Sequence, residues 1–73
     1  MKYVLFRHFT KIENDIIKTH GIVVFNKLVP VRVVKDISTD YEAVRELVSN
    51  LNNEKVELVH LDDILEDFLF ENV

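Results

Sequence analysis

The sequence predicts an α+β fold: a three-stranded antiparallel meander followed by a two-helix hairpin packed on one of its faces, in the order βββαα. Three observations carry this expectation. Residues 1–36 are rich in β-branched and aromatic side chains, as in "YVLFRHF", "GIVVF" and "VPVRVV", which suit a pleated, half-buried surface. From residue 37 onward the apolar positions recur at the helical period instead. Short polar breaks separate these runs, and nothing in the 73 residues reads as linker, repeat or low-complexity tract. One domain, 1–73, is therefore expected, with a sheet half (1–36) and a helical half (37–73).

The first two strands are expected at 2–12 and 16–25, broken by Glu13-Asn14-Asp15, which has turn chemistry. The third is expected at 28–36, after a tight turn at Asn26-Lys27. Pro30 cannot donate to a ladder, which places the third strand at an edge and the second in the centre. In "DISTDYEAVRELVSNLNN", Thr39 and Glu42 are spaced as a capping box, and Asp40 adds negative charge where the helix dipole favours it. Tyr41, Val44, Leu47, Val48 and Leu51 then share one face, and Asn52-Asn53 can end the helix. A second helix at 58–71 lines up Leu58, Leu61, Ile64, Leu65, Phe68 and Leu69.

Composition narrows the function classes. A chain this short buries only about 60% of its unfolded surface, and small scaffolds usually need a disulfide, a metal or self-association. There is no cysteine, so disulfides and thiolate metal sites are excluded. The N-terminus "MKYVLFRHFT" lacks the features of a signal peptide, and no run approaches the ~20 apolar residues of a membrane span. A cytoplasmic location without membrane contact is expected. The formal charge of −4 conceals a polarity, with +5 over residues 1–35 and −9 over residues 36–73, which bears on association more than on fold.

Candidate chemical groups reduce to structural ones. In "VHLDDILEDFLFENV", Asp62, Asp63, Glu66 and Asp67 lie opposite the Leu/Ile/Phe stripe, as on the wet flank of a half-buried helix. His60 stands one turn before Asp63, but no calcium-type loop and no His-x-x-x-His pair occurs. If the first turn has three residues, His8 faces His20 across the hairpin, although no third zinc ligand is in view. The single glycine, Gly21, builds no phosphate loop and reads as a close backbone contact or sharp twist. Ser38 and Thr39 read as helix-start residues rather than nucleophiles. No catalytic residue, metal or cofactor is assigned, and the chain is not expected to be an enzyme.

The faces of the sheet carry the functional expectation. With those turns, His20, Ile22, Val24, Val29, Val31 and Val33, joined by Val4 and Phe6, form the side that receives the helices. The other side collects Tyr3, Leu5, Phe9, Val23, Phe25, Leu28 and Val34, together with the basic Arg7, Lys11 and Arg32. Two helices cover only one face of such a sheet, so this apolar patch predicts a protein interface, most simply a homodimer. The alternative is single-stranded nucleic acid, stacked on the aromatics beside Arg7, Lys11 and Arg32. The net negative charge speaks against it.

Four segments, "HGI" at 20–22, "DISTD" at 36–40, "ELV" at 46–48 and "HLDDILEDFL" at 60–69, resemble a family of very short bacterial proteins with a domain of unknown function. That family shows a Tyr-Gly-Ile strand, an Asp-Ile-Ser segment and a closing His-Leu-x-Asp…Glu-Asp-Phe-Leu helix. The resemblance covers the last two-thirds of the chain. It implies a bacterial cytosolic origin and the βββαα order, and it assigns no site residue.

Overall fold

A computed structural model describes residues 1–71 of the chain; Asn72 and Val73 lie outside the described residues. Three antiparallel strands, β1 (Lys2–Ile12), β2 (Asp15–Asn26) and β3 (Val29–Ser38), form one sheet in the order β1-β2-β3, with β2 central. The helix α1 (Tyr41–Asn53) follows, and a short 3₁₀ turn (Leu58–His60) leads into α2 (Leu61–Glu71). The expected element order stands, although the second helix begins as a tighter turn.

Tyr3, Ile22, Val24 and Ile37 from the sheet bury against Val44, Leu47 and Leu51 of α1 and Leu61 and Leu65 of α2. Leu5, Val34, Val48 and Phe68 pack around them. The helices therefore lie on a single face of the sheet. The N-cap of α1 is Asp40, whose carboxylate accepts from the Ala43 amide at 3.2 Å; the expected Thr39 cap is corrected by one residue. Glu42 does not close a capping box and instead accepts from Arg45 one turn on.

Register decides which side chains meet the helices, and here two expectations are corrected. The first hairpin turns on two residues, Glu13 and Asn14, with Ile12 opposite Asp15. A slip of one residue exchanges the faces of a strand. Tyr3 and Leu5 of β1 thus lie opposite Val24 and Ile22 on the helix side, while Val4 and Phe6 face away. The second hairpin turns at Lys27-Leu28, and a bulge between the Val24 and Phe25 pairings then shifts β3 by one. It falls beside Pro30, where the ladder has no donor to lose. The bulge brings Arg32 and Val34 opposite Val24 and Ile22 and leaves Val31 and Val33 exposed. Val29 keeps the predicted side but is exposed as well.

Candidate interaction surface

The face without helices is built from cross-strand rows. Val4, Val23 and Val33 are direct partners across all three strands. On one side of this valine row Lys2, Phe25 and Pro30 line up; on the other, Phe6 lies opposite Gly21. A Cβ on Gly21 would stand 2.8 Å from two Phe6 ring carbons, so the aromatic ring occupies the space that any other residue would fill. Val4 is exposed, Val33 is 51% exposed, and Phe6, Val23 and Phe25 are half-buried. A shallow hollow of about 210 Å³ continues the surface toward the second turn, between Lys2, Val4, Phe25, Lys27 and Leu28.

Beyond Gly21 the same face turns polar. Asp36 sits in β3 with a positive φ of 55°. Its carboxylate accepts from the Thr19 hydroxyl and lies 3.1 Å from His8 Nδ1. The Thr19 hydroxyl and the His8 ring hold the Asp36 carboxyl below its ordinary pKa, Thr19 contributing most. The expected His8–His20 pairing is corrected: His8 faces Thr19, and His20 faces Arg7 on the other side of the sheet. His20 is buried there, with Nδ1 3.2 Å from the Ser38 carbonyl and its ring edge-on to Tyr41. Among the described residues no three His, Asp or Glu converge closely enough to hold a metal ion.

The expected interface residues separate into three groups. Val23 and Phe25 are on the open face. Tyr3, 1% exposed, belongs to the core, where burial raises its phenol pKa, and Leu5 and Val34 pack against that core. Phe9 falls on the helix-bearing side but past the helices, and Leu28, 93% exposed, is at the tip of the second turn. Val4 and Phe6 were missed because the face of β1 hung on the length of the first turn, and Val33 because the bulge shifts β3 by one. The available signal was the lone glycine, Gly21, which marks a close approach in a strand without naming the residue that makes it. The basic residues do not join the open-face aromatics either. Arg7 and Lys11 lie on the helix side, and Arg32 pairs with Asp62 of α2, which lowers that carboxyl's pKa.

Edges matter as much as faces for association. The Asn52 side chain of α1 accepts from the Tyr3 amide and donates to the Tyr3 carbonyl, both at 2.8 Å. One carboxamide thus occupies the outward backbone groups of β1 at this point, as a neighbouring strand would. The Tyr3 hydroxyl donates to the Val56 carbonyl at 2.7 Å and fixes the same strand from the core side. Pro30 interrupts the opposite edge.

No helix among the described residues is long and apolar enough to cross a membrane. No curated protein and no solved structure matched the chain. A family model matches residues 1–71, nearly the whole length and more than the four segments that carried the resemblance, and the chain belongs to this family of unknown function, DUF6514.

Proposed function

We propose that this chain is a small protein-interaction or regulatory module of the bacterial cytoplasm that associates with a second copy of itself through the open face of its sheet, and that it catalyses no reaction. The observation that carries the reading is the row Val4–Val23–Val33, exposed at Val4 and Val33 and half-buried at Val23, between Phe6 and Phe25. An apolar strip of this kind loses unfavourable hydration when a like surface covers it, and sheet faces stack about 10 Å apart with their side chains interleaved. The blocked β1 edge at Tyr3 and the proline on β3 favour face against face over edge against edge.

Dilution followed by amide NMR tests the reading. The Phe6, Val23 and Val33 resonances are expected to move together as concentration falls through the micromolar range. Val33→Asp should abolish that movement while the far-UV circular dichroism stays unchanged. Resonances on this face that ignore concentration would overturn the proposal.

A further inference from the structure

A second surface lies on the other side of the sheet. At ~3.3 Å per residue, β1 is about 36 Å long, whereas α1 at ~1.5 Å per residue covers about 20 Å. The ladder between β2 and β3 ends at the pair His20–Ser38. Past that pair, β1 and β2 continue as a two-stranded arm to which, among the described residues, no third strand or helix is paired. On the helix-bearing side of this arm stand the rows Phe9–Lys18 and Lys11–Ile16, with the exposed Arg7, opposite the buried His20, at its base. Phe9 is 64% and Ile16 72% exposed. The bare side is thus two large apolar groups among three cations, Arg7, Lys11 and Lys18.

The helices carry the complementary surface. A groove of about 400 Å³ runs between α1 and α2. Leu47, Ile64 and Phe68 line it, and so do the exposed acids Glu46, Asp67 and Glu71. The groove offers apolar side chains among three anions, where the arm offers apolar side chains among three cations. Two-stranded ribbons are marginal unless something packs on them, and opposite charge around an apolar centre sets orientation and partner choice.

We infer that the basic arm of one copy docks into the acidic groove of a second copy, and the second copy's arm into the groove of the first. The same patch then serves both subunits about a two-fold axis, which closes the contact at two copies. The helical layer of each protomer fills the step that the other leaves beneath its arm. This contact is on the opposite side of the sheet from the valine row and does not depend on the reading above.

Charge exchange in the Val33→Asp background, where the open face is disabled, separates the two. The single variant Val33→Asp is expected to sediment as a dimer whose dissociation constant rises with salt. Adding Lys11→Glu and Lys18→Glu gives a chain with acidic arm and acidic groove; adding Glu46→Lys and Asp67→Lys instead gives one with basic arm and basic groove. Each alone should dissociate with a constant raised at least about tenfold. Mixed in equal amounts they match at both contacts, and the dimer should return as a heterodimer. The returning heterodimer also shows that both charge variants fold. A monomeric Val33→Asp protein, reversed chains that still self-associate, or a mixture that stays monomeric would each overturn the inference. The dilution shifts of Phe6, Val23 and Val33 in the unmutated protein report the open face separately.

Discussion

At the scale of single residues, the tightest constraint is Gly21. A Cβ there would lie 2.3 Å from the Val34 carbonyl oxygen as well as 2.8 Å from the Phe6 ring. A side chain can rotate away, but a backbone carbonyl in a ladder cannot move without disturbing its pairing. Gly21→Ala should therefore lower stability by about 1–3 kcal/mol or more in urea unfolding, the usual cost of overpacking. With Phe6→Leu already present, the further cost of Gly21→Ala should shrink without vanishing, because the carbonyl clash remains. A zero cost would refute the close approach. The need for a small residue was legible in the sequence, since a lone glycine in a strand run signals close contact; its neighbours were not. Asp36 supports a second prediction. Its folded pKa is depressed, first by the Thr19 hydroxyl and then by His8. A carboxyl of this kind adds stability above its unfolded pKa and loses it as pH falls through the lower folded value. Thr19→Val should raise the Asp36 pKa toward the ordinary carboxylate value in an NMR titration and narrow that acid window. An unmoved titration would show that the hydroxyl is not the cause.

Among the elements, the C-terminus of α1 explains a residue that sequence patterns pass over. The Val56 amide donates to the Leu51 carbonyl at 3.1 Å and the Lys55 amide to the Asn52 carbonyl at 3.2 Å. Lys55 has a φ of 51° between them. This is the Schellman arrangement, in which a left-handed residue just past the helix releases two carbonyls from solvent and seats an apolar residue after it. Val56 is that residue, packed against the core. Glycine usually fills the left-handed position, and an L side chain there costs roughly 1–2 kcal/mol. Lys55→Gly should accordingly stabilise the protein by about 1 kcal/mol, part of the gain being lost to the greater freedom of glycine in the unfolded chain. Thermal unfolding checks the sign, and a lower midpoint would refute the strain. Helix stripes and strand composition were readable because they repeat over many residues. Caps and turns were readable only to within a residue: Ser38, Thr39 and Asp40 all have capping side chains, and the chain uses the third. For the helix that error is harmless. For β1 one residue too many in the first turn exchanges the faces, whereas for β3 the displaced turn leaves them in place and the bulge exchanges them; β2 alone was assigned to the right side throughout. The Asn52 clamp on Tyr3, 49 residues away, leaves no local pattern at all.

For the molecule as a whole, the sheet is longer than its helical cover, and stability should follow that division. The longest dimension is 39 Å, close to the length of β1 alone. The buried residues of β2 are His20, Gly21, Ile22 and Val24, all at the end backed by helices. From Lys18 back to Asp15 the strand is exposed apart from Ile17, which is half-buried. Backbone hydrogen bonds in such an arm have little apolar burial behind them and can open without unfolding the rest. Native-state hydrogen exchange should therefore find that residues 9–18 exchange through local opening, nearly insensitive to low denaturant. The amides of Ile22, Val24, Val48 and Leu51 should exchange only through global unfolding. The arm docked in a partner's groove gives the measurement a second axis. Arm protection should rise with protein concentration and fall with salt, since three cations meet three anions there, whereas core protection should rise only as far as association stabilises the whole fold. Arm and core amides with equal protection in a dilute, high-salt sample would show that the ribbon needs no cover, and the physical ground for seeking a partner at that surface would be gone.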